Sequence, residues 1–292
     1  MKKLALVLAM VMALLCVFTA CGEEKSGGLT ITADNTAASD TQIVSGLIDS
    51  ESYTLSKNIT KIVSLSPTAS LVLDSIGASA KLIGVDSVSA GLISASVSST
   101  SASAAAGLAP EVIFVDEADR AALGETDIPV FTIPTAESSD SVKKLIRLCG
   151  KVAGVDTSSA ESKLTNSLNA AQLGSSAYSE KIPAYLDLGN GTVGSGTYHT
   201  ELLYAAGLVN ICTAEGFATM TEAEIVAANP EFIFTVGDVN DYLNNAAFAE
   251  VTAVKNGNVY SLEEKDICYA SNNIGNAVSA MYASVSETRG DE

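Results

Sequence analysis

Short apolar runs alternate with helix-like segments along most of the chain. The apolar run Ile62–Leu65 predicts a buried strand, and the turn Ser66–Thr68 leads from it into a helix over about Ala69–Ile76. A second strand is predicted at 183–188, followed by a glycine-rich loop and a helix over about 200–206. Alternation of short strands and helices at this spacing is typical of βαβ units, which build mainly parallel sheets.

A five-residue motif occurs twice, as Pro110–Phe114 and Pro230–Phe234, with four identical residues and an offset of 120. Its proline disfavours a helical conformation in the residue before it, so each copy marks the end of a helix and the start of a strand. Each copy leads to acidic residues and then, after a polar segment, to another apolar run, at 129–133 and 258–262. The repeat therefore predicts an α/β fold of two lobes.

Residues 138–177 contain no strand-like run and predict two helices, the second over 159–173. The first helix has an apolar face made of residues at helical spacing: Val142, Leu145, Ile146, Cys149 and Val152. The predicted organisation is an N-terminal lobe at 57–136, a helical connector at 137–180 and a C-terminal lobe at 181–292, with mainly parallel sheets in both lobes.

The N-terminus has the pattern of an export signal. Lys2 and Lys3 precede Leu4–Ala20, an uncharged and mostly apolar run of 17 residues. A basic start, a short apolar stretch and a small residue before a break are typical of a secretory signal peptide, which we assign to residues 1–20. A membrane-spanning helix needs about 20 apolar residues, so a permanent signal anchor is the alternative that this run fits less well.

The segment Phe18-Thr19-Ala20-Cys21 resembles the lipobox of bacterial lipoproteins, although that motif prefers Leu where Phe18 stands. The resemblance implies that Cys21 becomes the lipidated first residue of the mature protein. Residues 21–56 are polar and rich in Ser, Thr, Gly and Asp, a composition typical of flexible linkers. We therefore expect a lipid-anchored tether at 21–56 and an extracytoplasmic domain attached to the bacterial cell membrane.

The composition narrows the classes of function. Of the 292 residues 47% are hydrophobic, which is ample for a core, and 16 Lys and Arg stand against 34 Asp and Glu, giving a net charge of −18. Nucleic-acid binding depends on cationic side chains that neutralise phosphates. A chain as acidic as this one is therefore a poor candidate for a nucleic-acid-binding protein.

The motifs of common enzymes are missing from the sequence. His199 is the single histidine, the Gly-Ser-Gly at 194–196 lacks the spacing of a nucleophile elbow, and there is no GxxxxGK[ST] phosphate loop. Cys149, Cys212 and Cys268 lack the CxxC spacing of zinc and redox sites, and a pairing of Cys212 with Cys268 stays open. We expect a protein that is not an enzyme, with no cofactor and no metal site of its own.

Five motifs in consistent order resemble those of the substrate-binding lipoproteins of ABC importers for iron-siderophores, haem and cobalamin. The motifs are Lys61–Pro67, Leu82–Asp86, Leu108–Ile113, Leu148–Gly154 and Ala227–Ile233, and the resemblance spans about residues 53–285. It implies two α/β lobes joined by one long helix, with a ligand cleft between the lobes. It also implies capture of a metal chelate or tetrapyrrole for an ABC transporter permease. The alternative is a sensor or interaction lipoprotein derived from this fold without transport.

Ligand contacts are expected in the loops that follow the strands, because open α/β sheets bind ligands beyond the carboxyl ends of their strands. The expected contacts are Ser66, Pro67, Thr68, Asp86, Ser87 and Val88 in the N-terminal lobe and Ser195, Thr197, Tyr198, His199, Gly237, Asp238 and Tyr269 in the C-terminal lobe. Tyr198 and His199 are residue types that ligate haem iron, and the alternative for this pair is a partly exposed loop.

Aromatic and basic residues bear on the kind of ligand. With no Trp, stacking on a ligand falls to Tyr or Phe, and the candidates in the C-terminal lobe are Tyr198, Phe217, Tyr242 and Tyr269. Cations are few in 61–136 and 183–285, where they are Lys61, Lys81, Arg120, Lys255 and Lys265. Anionic ferric citrate or catecholate calls for a cluster of Arg and Lys, so a neutral hydroxamate chelate or a corrinoid fits better, and haem fits with its propionates in water.

The resemblance also implies where the permease docks. The family's docking glutamate of the N-terminal lobe falls on Ser103, and that of the C-terminal lobe falls on Ala223, between Glu222 and Glu224. We therefore expect Glu222 and Glu224 to dock the transporter. Leu71 stands where family members often carry Glu, and this departure together with Ser103 favours the sensor alternative.

Overall fold

The structure is a computed structural model that describes residues 40–48 and 51–289. The expected signal peptide at 1–20, the Cys21 lipid site and the first part of the tether lie outside the described residues. No helix in the described part of the chain is long and apolar enough to cross a membrane.

The described residues of the N-terminal lobe form six strands and four helices. The strands are β1 (Thr41–Ser45), β2 (Ser52–Ser56), β3 (Ile62–Leu65), β4 (Leu82–Val85), β5 (Val112–Asp116) and β6 (Val130–Ile133). The helices are α1 (Pro67–Ser75), α2 (Ser87–Leu92), α3 (Ala102–Ala105) and α4 (Arg120–Leu123), with 3₁₀ turns at Ser79–Lys81, Ala106–Leu108 and Glu117–Asp119. Strands β3 to β6 form a parallel sheet in the order β4-β3-β5-β6, buried almost throughout because helices cover its faces.

Two helices, α5 (Ser139–Ala153) and α6 (Ser158–Ser175), follow the first sheet. Helix α5 begins at Ser138, whose Oγ accepts from the backbone N–H of Ser141 at 3.2 Å. It ends at Gly154, whose φ of +65° is the left-handed conformation that glycine adopts without strain. All five apolar residues predicted for its face are buried, and the helix packs on α1.

The C-terminal lobe repeats the design of the first. Its strands are β7 (Ile182–Asp187), β8 (Thr192–Val193), β9 (Leu208–Asn210), β10 (Phe217–Ala218), β11 (Phe232–Thr235) and β12 (Val259–Ser261). Its helices are α7 (Tyr198–Ala205), α8 (Glu222–Ala228), α9 (Asn240–Leu243), α10 (Thr252–Asn256), α11 (Glu264–Ile267) and α12 (Ile274–Arg289), with a 3₁₀ turn at Ala246–Phe248. The main sheet is parallel in the order β12-β11-β7-β9, and β8 pairs with β10 in a small antiparallel ribbon.

Helix α6 joins the lobes, since it follows α5 and packs on α12 and α7 of the C-terminal lobe. With 18 residues it is the longest helix in the described part of the chain. The lobes also touch directly, since the Ser75 hydroxyl donates to Asn272. The start of the connector is tied to the C-terminal lobe as well, because the backbone N–H of Ser139 donates to Glu201 at 2.8 Å. The largest cluster of buried apolar side chains runs from one lobe through the connector into the other, which favours a stiff junction.

The sequence repeat corresponds to a structural repeat. The orders β4-β3-β5-β6 and β9-β7-β11-β12 are the same, and the two copies of the motif open the equivalent strands β5 and β11. Before each proline, the chain turns through a left-handed residue that is not glycine, Ala109 at φ +50° and Asn229 at φ +47°. The predicted fold class, two α/β lobes with mainly parallel sheets, is confirmed.

The end of the expected tether is folded, which corrects the prediction for 21–56. Strands β1 and β2 pair in an antiparallel hairpin that buries Val44 and Leu55 beside α5. The Glu51 carboxylate accepts hydrogen bonds from the backbone N–H of Thr132, at 2.9 Å, and from its hydroxyl. Each strand buries only one residue fully, and most other residues of the segment are polar. Composition therefore indicated a linker and not a pair of strands.

Candidate functional site

A cavity of about 270 Å³ lies between the lobes, at the carboxyl ends of β5 and β6. Residues of both lobes form its walls, which we call the N-terminal wall and the C-terminal wall. The principal side chains of the N-terminal wall are Thr68, Asp116, Glu117 and Thr135, and those of the C-terminal wall are Tyr198, Phe217, Cys268 and Tyr269. The position agrees with the general rule that α/β sheets bind ligands beyond the carboxyl ends of their strands.

Asp116 is the most strongly perturbed acid of the N-terminal wall. Burial penalises its charged form and raises the pKa to about 6, and the nearby charges of Asp86 and Asp119 act in the same direction. A hydrogen bond from the Ser66 side chain opposes the shift. Ser66 is itself buried because its Oγ caps α1, accepting from the N–H of Ala69 at 3.2 Å. Near neutral pH this carboxyl therefore lies close to its titration point.

Tyr198 and His199 form a stacked pair in the C-terminal wall, with ring centroids 3.9 Å apart. Both side chains bond the same carbonyl, that of Ile267: the Tyr198 hydroxyl donates at 2.7 Å and His199 Nε2 lies at 3.0 Å. Because a carbonyl only accepts, Nε2 carries the imidazole proton. Nδ1 is buried without a hydrogen-bond partner. Burial lowers the His199 pKa to about 4, against the opposing effect of the Ile267 bond.

The structure corrects the expectation that His199 contacts a ligand or binds haem iron. Its side chain is completely buried beneath Tyr198 and lies off the cavity surface, so no ligand reaches it in this arrangement. Tyr198 lines the cavity but is 3% exposed, with its hydroxyl committed to Ile267. Tyr198 thus lines the cavity, whereas His199 supports the C-terminal wall from beneath, and neither residue belongs to an exposed loop.

A close backbone contact fixes the loop before Tyr198. Gly194 lies so near the carbonyl of Ala214 that a Cβ on it would be 1.9 Å from that oxygen. The Gly194 carbonyl accepts from the hydroxyls of Thr197 and Thr200, at 3.1 and 2.9 Å. These contacts set the start of α7 and hence the position of Tyr198.

Phe217 and Tyr269 are the accessible aromatic residues of the cavity. Phe217 is 63% exposed on β10 and meets the His199 ring edge-on, with centroids 6.1 Å apart. Tyr269 donates its hydroxyl to Glu264 at 2.9 Å, and burial together with this acid raises its pKa. Tyr242, another stacking candidate, is a buried core residue that packs on Tyr185 and Phe248.

Among the predicted contacts, Thr68, Tyr198 and Tyr269 line the cavity. Ser66 lies beneath the N-terminal wall as a helix cap, and Pro67 is the first residue of α1. In the C-terminal lobe, Thr197 is buried in the loop before α7 and Ser195 is exposed. Ligand contact at the residues that line the cavity stays a prediction.

Asp86 and Asp238 each follow a strand, as predicted, and each is engaged locally. Asp86 caps α2, accepting from the backbone N–H groups of Val88 and Ser89 at 2.9 Å. With Ser87, it lines a second N-terminal pocket of about 490 Å³ next to β5, whereas the Val88 side chain is exposed. Asp238 and Gly237 are exposed beyond β11, and Asp238 accepts from Asn240 at 2.9 Å. Neither loop reaches the cavity between the lobes.

The sequence reasoning missed the carboxylates of the N-terminal wall. A signal existed for the carboxylates, because Asp116 and Glu117 come directly after a predicted strand, where ligand contacts were expected. Phe217 was named as a stacking candidate, but no sequence signal placed it at the cavity, since β10 has two residues and its place depends on pairing with β8.

The expected docking acids lie on the exposed surface of α8. Glu224 forms a capping box with Thr221, whose N–H donates to it at 2.7 Å, and Glu222 accepts from Asn245 at 2.8 Å. Ser103 is exposed on α3, the equivalent helix of the other lobe. Leu71, in contrast, is a buried core residue.

The cysteines and the metal-binding residue types give no further site. Cys149, Cys212 and Cys268 are unpaired, so the Cys212–Cys268 bond left open by the sequence is not formed. Within the described part of the chain, no three His, Cys, Asp or Glu residues lie close enough together to hold a metal ion.

Solved structures share this fold at low sequence identity. The haem-binding protein RhuT of Roseiflexus sp. RS-1 is 18% identical with a TM-score of 0.67, covering 80% of this chain and 100% of its own. CeuE of Helicobacter pylori, solved with nickel and histidine, is 18% identical with a TM-score of 0.70 and coverages of 86% and 91%. The molybdate-binding protein MolA of Haemophilus influenzae is 17% identical with a TM-score of 0.72 and coverages of 85% and 91%.

Comparison by sequence is more decisive about the family. No curated protein sequence is a significant match to the chain. The sequence profile of the family described as periplasmic binding protein, however, matches residues 62–265, which run from β3 to α11. This match spans both sheets and the connector, and the fold agrees with it: the chain belongs to the periplasmic binding protein family.

Proposed function

We propose that the protein is the extracytoplasmic substrate-binding lipoprotein of an ABC importer, and that it captures a metal chelate or tetrapyrrole for delivery to a permease. Membership of the periplasmic binding protein family implies a binding protein that works outside the cytoplasm. The observation that carries the proposal is the cavity between the lobes, whose two walls come from different lobes. A ligand there holds both lobes in one arrangement, which a permease is able to recognise.

The cavity supports a restricted choice of ligand. The solved relatives bind haem, nickel with histidine, or molybdate, so the fold alone does not select a class. Among the described residues that line the cavity, none is Lys or Arg and two are acids, Asp116 and Glu117. An oxyanion or an anionic catecholate has no cationic partner there. A neutral hydroxamate chelate, a corrinoid, or a haem with its propionates in water fits better.

A sensor or interaction lipoprotein of the same fold is the second candidate. The observation that favours it is Ser103, exposed on α3 where the family resemblance implies a docking glutamate. The cavity between the lobes argues against an interaction role alone, because a protein that only binds a partner needs no space for a ligand, whereas import and sensing both use such a space.

Absorbance spectra and native mass spectrometry of protein purified from its source test the ligand class. A Soret band, a corrin band or a ferric hydroxamate band, with the matching mass, is the expected result. Uptake of the identified ligand by cells that lack the protein then separates the two candidates. Uptake that needs the protein supports import, and unchanged uptake with retained binding supports the sensor.

Anchoring has its own test. Cys21→Ser removes the proposed lipid site, so the protein is expected in the medium or in an unprocessed form. Metabolic labelling with a fatty acid is the measurement, and Cys16→Ser, within the expected signal peptide, is the matched control that leaves labelling unchanged. Label that persists in Cys21→Ser contradicts lipidation at this residue.

A further inference from the structure

The charges around the cavity bear on the charge of the ligand, an inference that rests on the proposed function. The N-terminal wall presents Asp116 and Glu117, and among the described residues that line the cavity no Lys, Arg or His faces them. Opposite these acids the C-terminal wall presents the rings of Phe217 and Tyr269. The site is therefore a small space with carboxylates on one side and aromatic rings on the other.

The acids next to the cavity add to its negative potential. Asp86 lies near enough for its charge to raise the pKa of both Asp116 and Tyr269, so it acts on both walls. Glu264 accepts a hydrogen bond from the Tyr269 hydroxyl at 2.9 Å, behind the aromatic wall. Each wall is thus backed by a further carboxylate.

The cations of the lobes are held elsewhere. Lys81 and Lys181 directly precede β4 and β7, so they lie at the amino ends of the strands, away from the cavity. Lys81 donates to the Ile59 carbonyl at 2.7 Å, and Lys181 donates to the Tyr204 carbonyl at 3.0 Å. Arg120 bonds the Gly124 carbonyl in its own loop at 3.3 Å. Lys265 lines a separate groove with Asp74. Among the residues that the structure describes, none that lines the cavity is a counter-ion for its acids.

A cationic ligand group interacts favourably with both walls of the cavity. A positive group next to Asp116 and Glu117 compensates the burial of the carboxylate, which an anion or a neutral group does not do. The face of an aromatic ring also attracts a cation through its quadrupole, most strongly where water is excluded. We propose that the ligand carries a positive charge, which lies against Asp116 and Glu117, and that Phe217 and Tyr269 cover the remainder of the bound group.

A set of chelates with matched size and different charge tests this proposal. The probes are linear ferric trihydroxamates that end in an ammonium, an acetamide or a succinamide carboxylate, together with a cationic and an anionic porphyrin and the diaquo and dicyano forms of cobinamide. Binding is measured by quenching of tyrosine fluorescence. We expect the most positively charged member of at least one set to bind most tightly and its neutral or anionic members to bind less tightly in the order of their charge.

Asp116→Asn keeps the hydrogen-bonding shape of the side chain and removes its charge. The variant is expected to lower the preference for the cationic probe by about tenfold, the size of one charge-assisted contact. Asp127→Asn is the matched control, since Asp127 is exposed in the loop before β6, at the opposite edge of the sheet. It should leave the preference unchanged, and the wild-type preference should shrink as salt is added.

The outcomes separate the two levels of inference. Binding in which the anionic member is as tight as the cationic one, or a preference that Asp116→Asn does not alter, overturns the positive charge and leaves the proposed function standing. A chain that is folded by circular dichroism and binds no probe of any set overturns the proposed ligand class, and the charge assignment with it.

Discussion

The two lobes share a strand order but leave their first strands in different ways. In the N-terminal lobe β3 passes into α1 through one residue, Ser66, which caps the helix. In the C-terminal lobe residues 188–197 separate β7 from α7 and include β8, the partner of β10. Part of the aromatic side of the cavity depends on this insertion, because Tyr198 follows it and Phe217 lies on β10, the partner of its strand β8. That part of the C-terminal wall forms where the structural repeat breaks down, whereas Tyr269 comes from the segment after α11.

The equivalent strands β5 and β11 show the same contrast at their carboxyl ends. Asp116 ends β5 in the cavity, partly buried, whereas Asp238 follows β11 into solvent and bonds Asn240. The motif that opens each strand is nearly identical. Local sequence thus determines the strand, while the opposite lobe determines whether the acid that follows becomes part of a site.

The insertion of the C-terminal lobe depends most strongly on Gly194. A Cβ at this position would lie 1.9 Å from the Ala214 carbonyl oxygen, so Gly194→Ala forces the backbone to move. We expect a loss of about 3 kcal/mol in the free energy of unfolding, measured in urea. Gly91→Ala is the control, since Gly91 has open space around it, and it should be neutral or up to about 1 kcal/mol more stable because it lies in a helix. Equal losses for both would mean that the loop is not closely packed.

The buried base of the C-terminal wall gives the next largest effect. The pKa of His199 is lowered from 6.5 to about 4, so the fold holds the neutral ring, and its contribution is complete above about pH 6.5 and falls as the pH drops towards 4. Between pH 7 and pH 5 this one group is expected to cost about 2 kcal/mol of stability. His199→Gln removes the titration, so the variant should lose that much less than the wild type over the same interval. Identical pH dependence in urea unfolding would contradict a buried neutral histidine.

Asp116, the partly buried acid of the N-terminal wall, makes the stability depend on pH in the opposite direction. The pKa of Asp116 is raised from 3.8 to about 6, so its contribution to stability is complete below about pH 4 and is lost as the pH rises through 6. Lowering the pH from 7 to 5 should increase the contribution of Asp116 to the free energy of unfolding by about 1 kcal/mol, after allowance for partial exposure. Asp116→Asn is expected to remove this gain, whereas Asp238→Asn, exposed after β11, should leave the curve unchanged. A shared effect of the two variants would show that the acids do not differ in environment.

Sequence was a good guide to the fold because the relevant signals are local. Apolar runs, helix-breaking prolines and the five-residue repeat located six of the eight main-sheet strands and the two connector helices. Strand β4 matched only a motif of the family resemblance, and β9 was not predicted. The N-terminal hairpin and two short helices also escaped prediction. The hairpin at 41–56 buries one residue fully in each strand, and helices α2 and α3 lie in a Ser- and Ala-rich stretch without charge or strong periodicity.

The site was harder to predict, because its members are set by contacts between distant segments. The rule that ligands bind after strands found Thr68, Tyr198 and Tyr269, but it was not applied to Asp116, and it could not tell that Asp86 is occupied as a helix cap. It also could not tell that the ring of His199 turns inward to the Ile267 carbonyl, 68 residues away in sequence.

The last prediction concerns the outer surfaces of the lobes, where the comparison is between α8 with Glu222 and Glu224 and α3 with Ser103. If the C-terminal lobe alone supplies docking acids, the double variant Glu222→Gln with Glu224→Gln should lower uptake of the identified ligand about fivefold, the scale of two exposed ion pairs. Gln at 224 still serves the capping box with Thr221, so α8 keeps its start and the change is one of charge. The dissociation constant of the ligand should not change, because neither residue lines the cavity. Ser103→Ala is the matched control on α3 and should leave uptake unaffected. Normal uptake in the double variant would mean that these acids are solvated helix residues, and it would move the search for a docking surface away from α8.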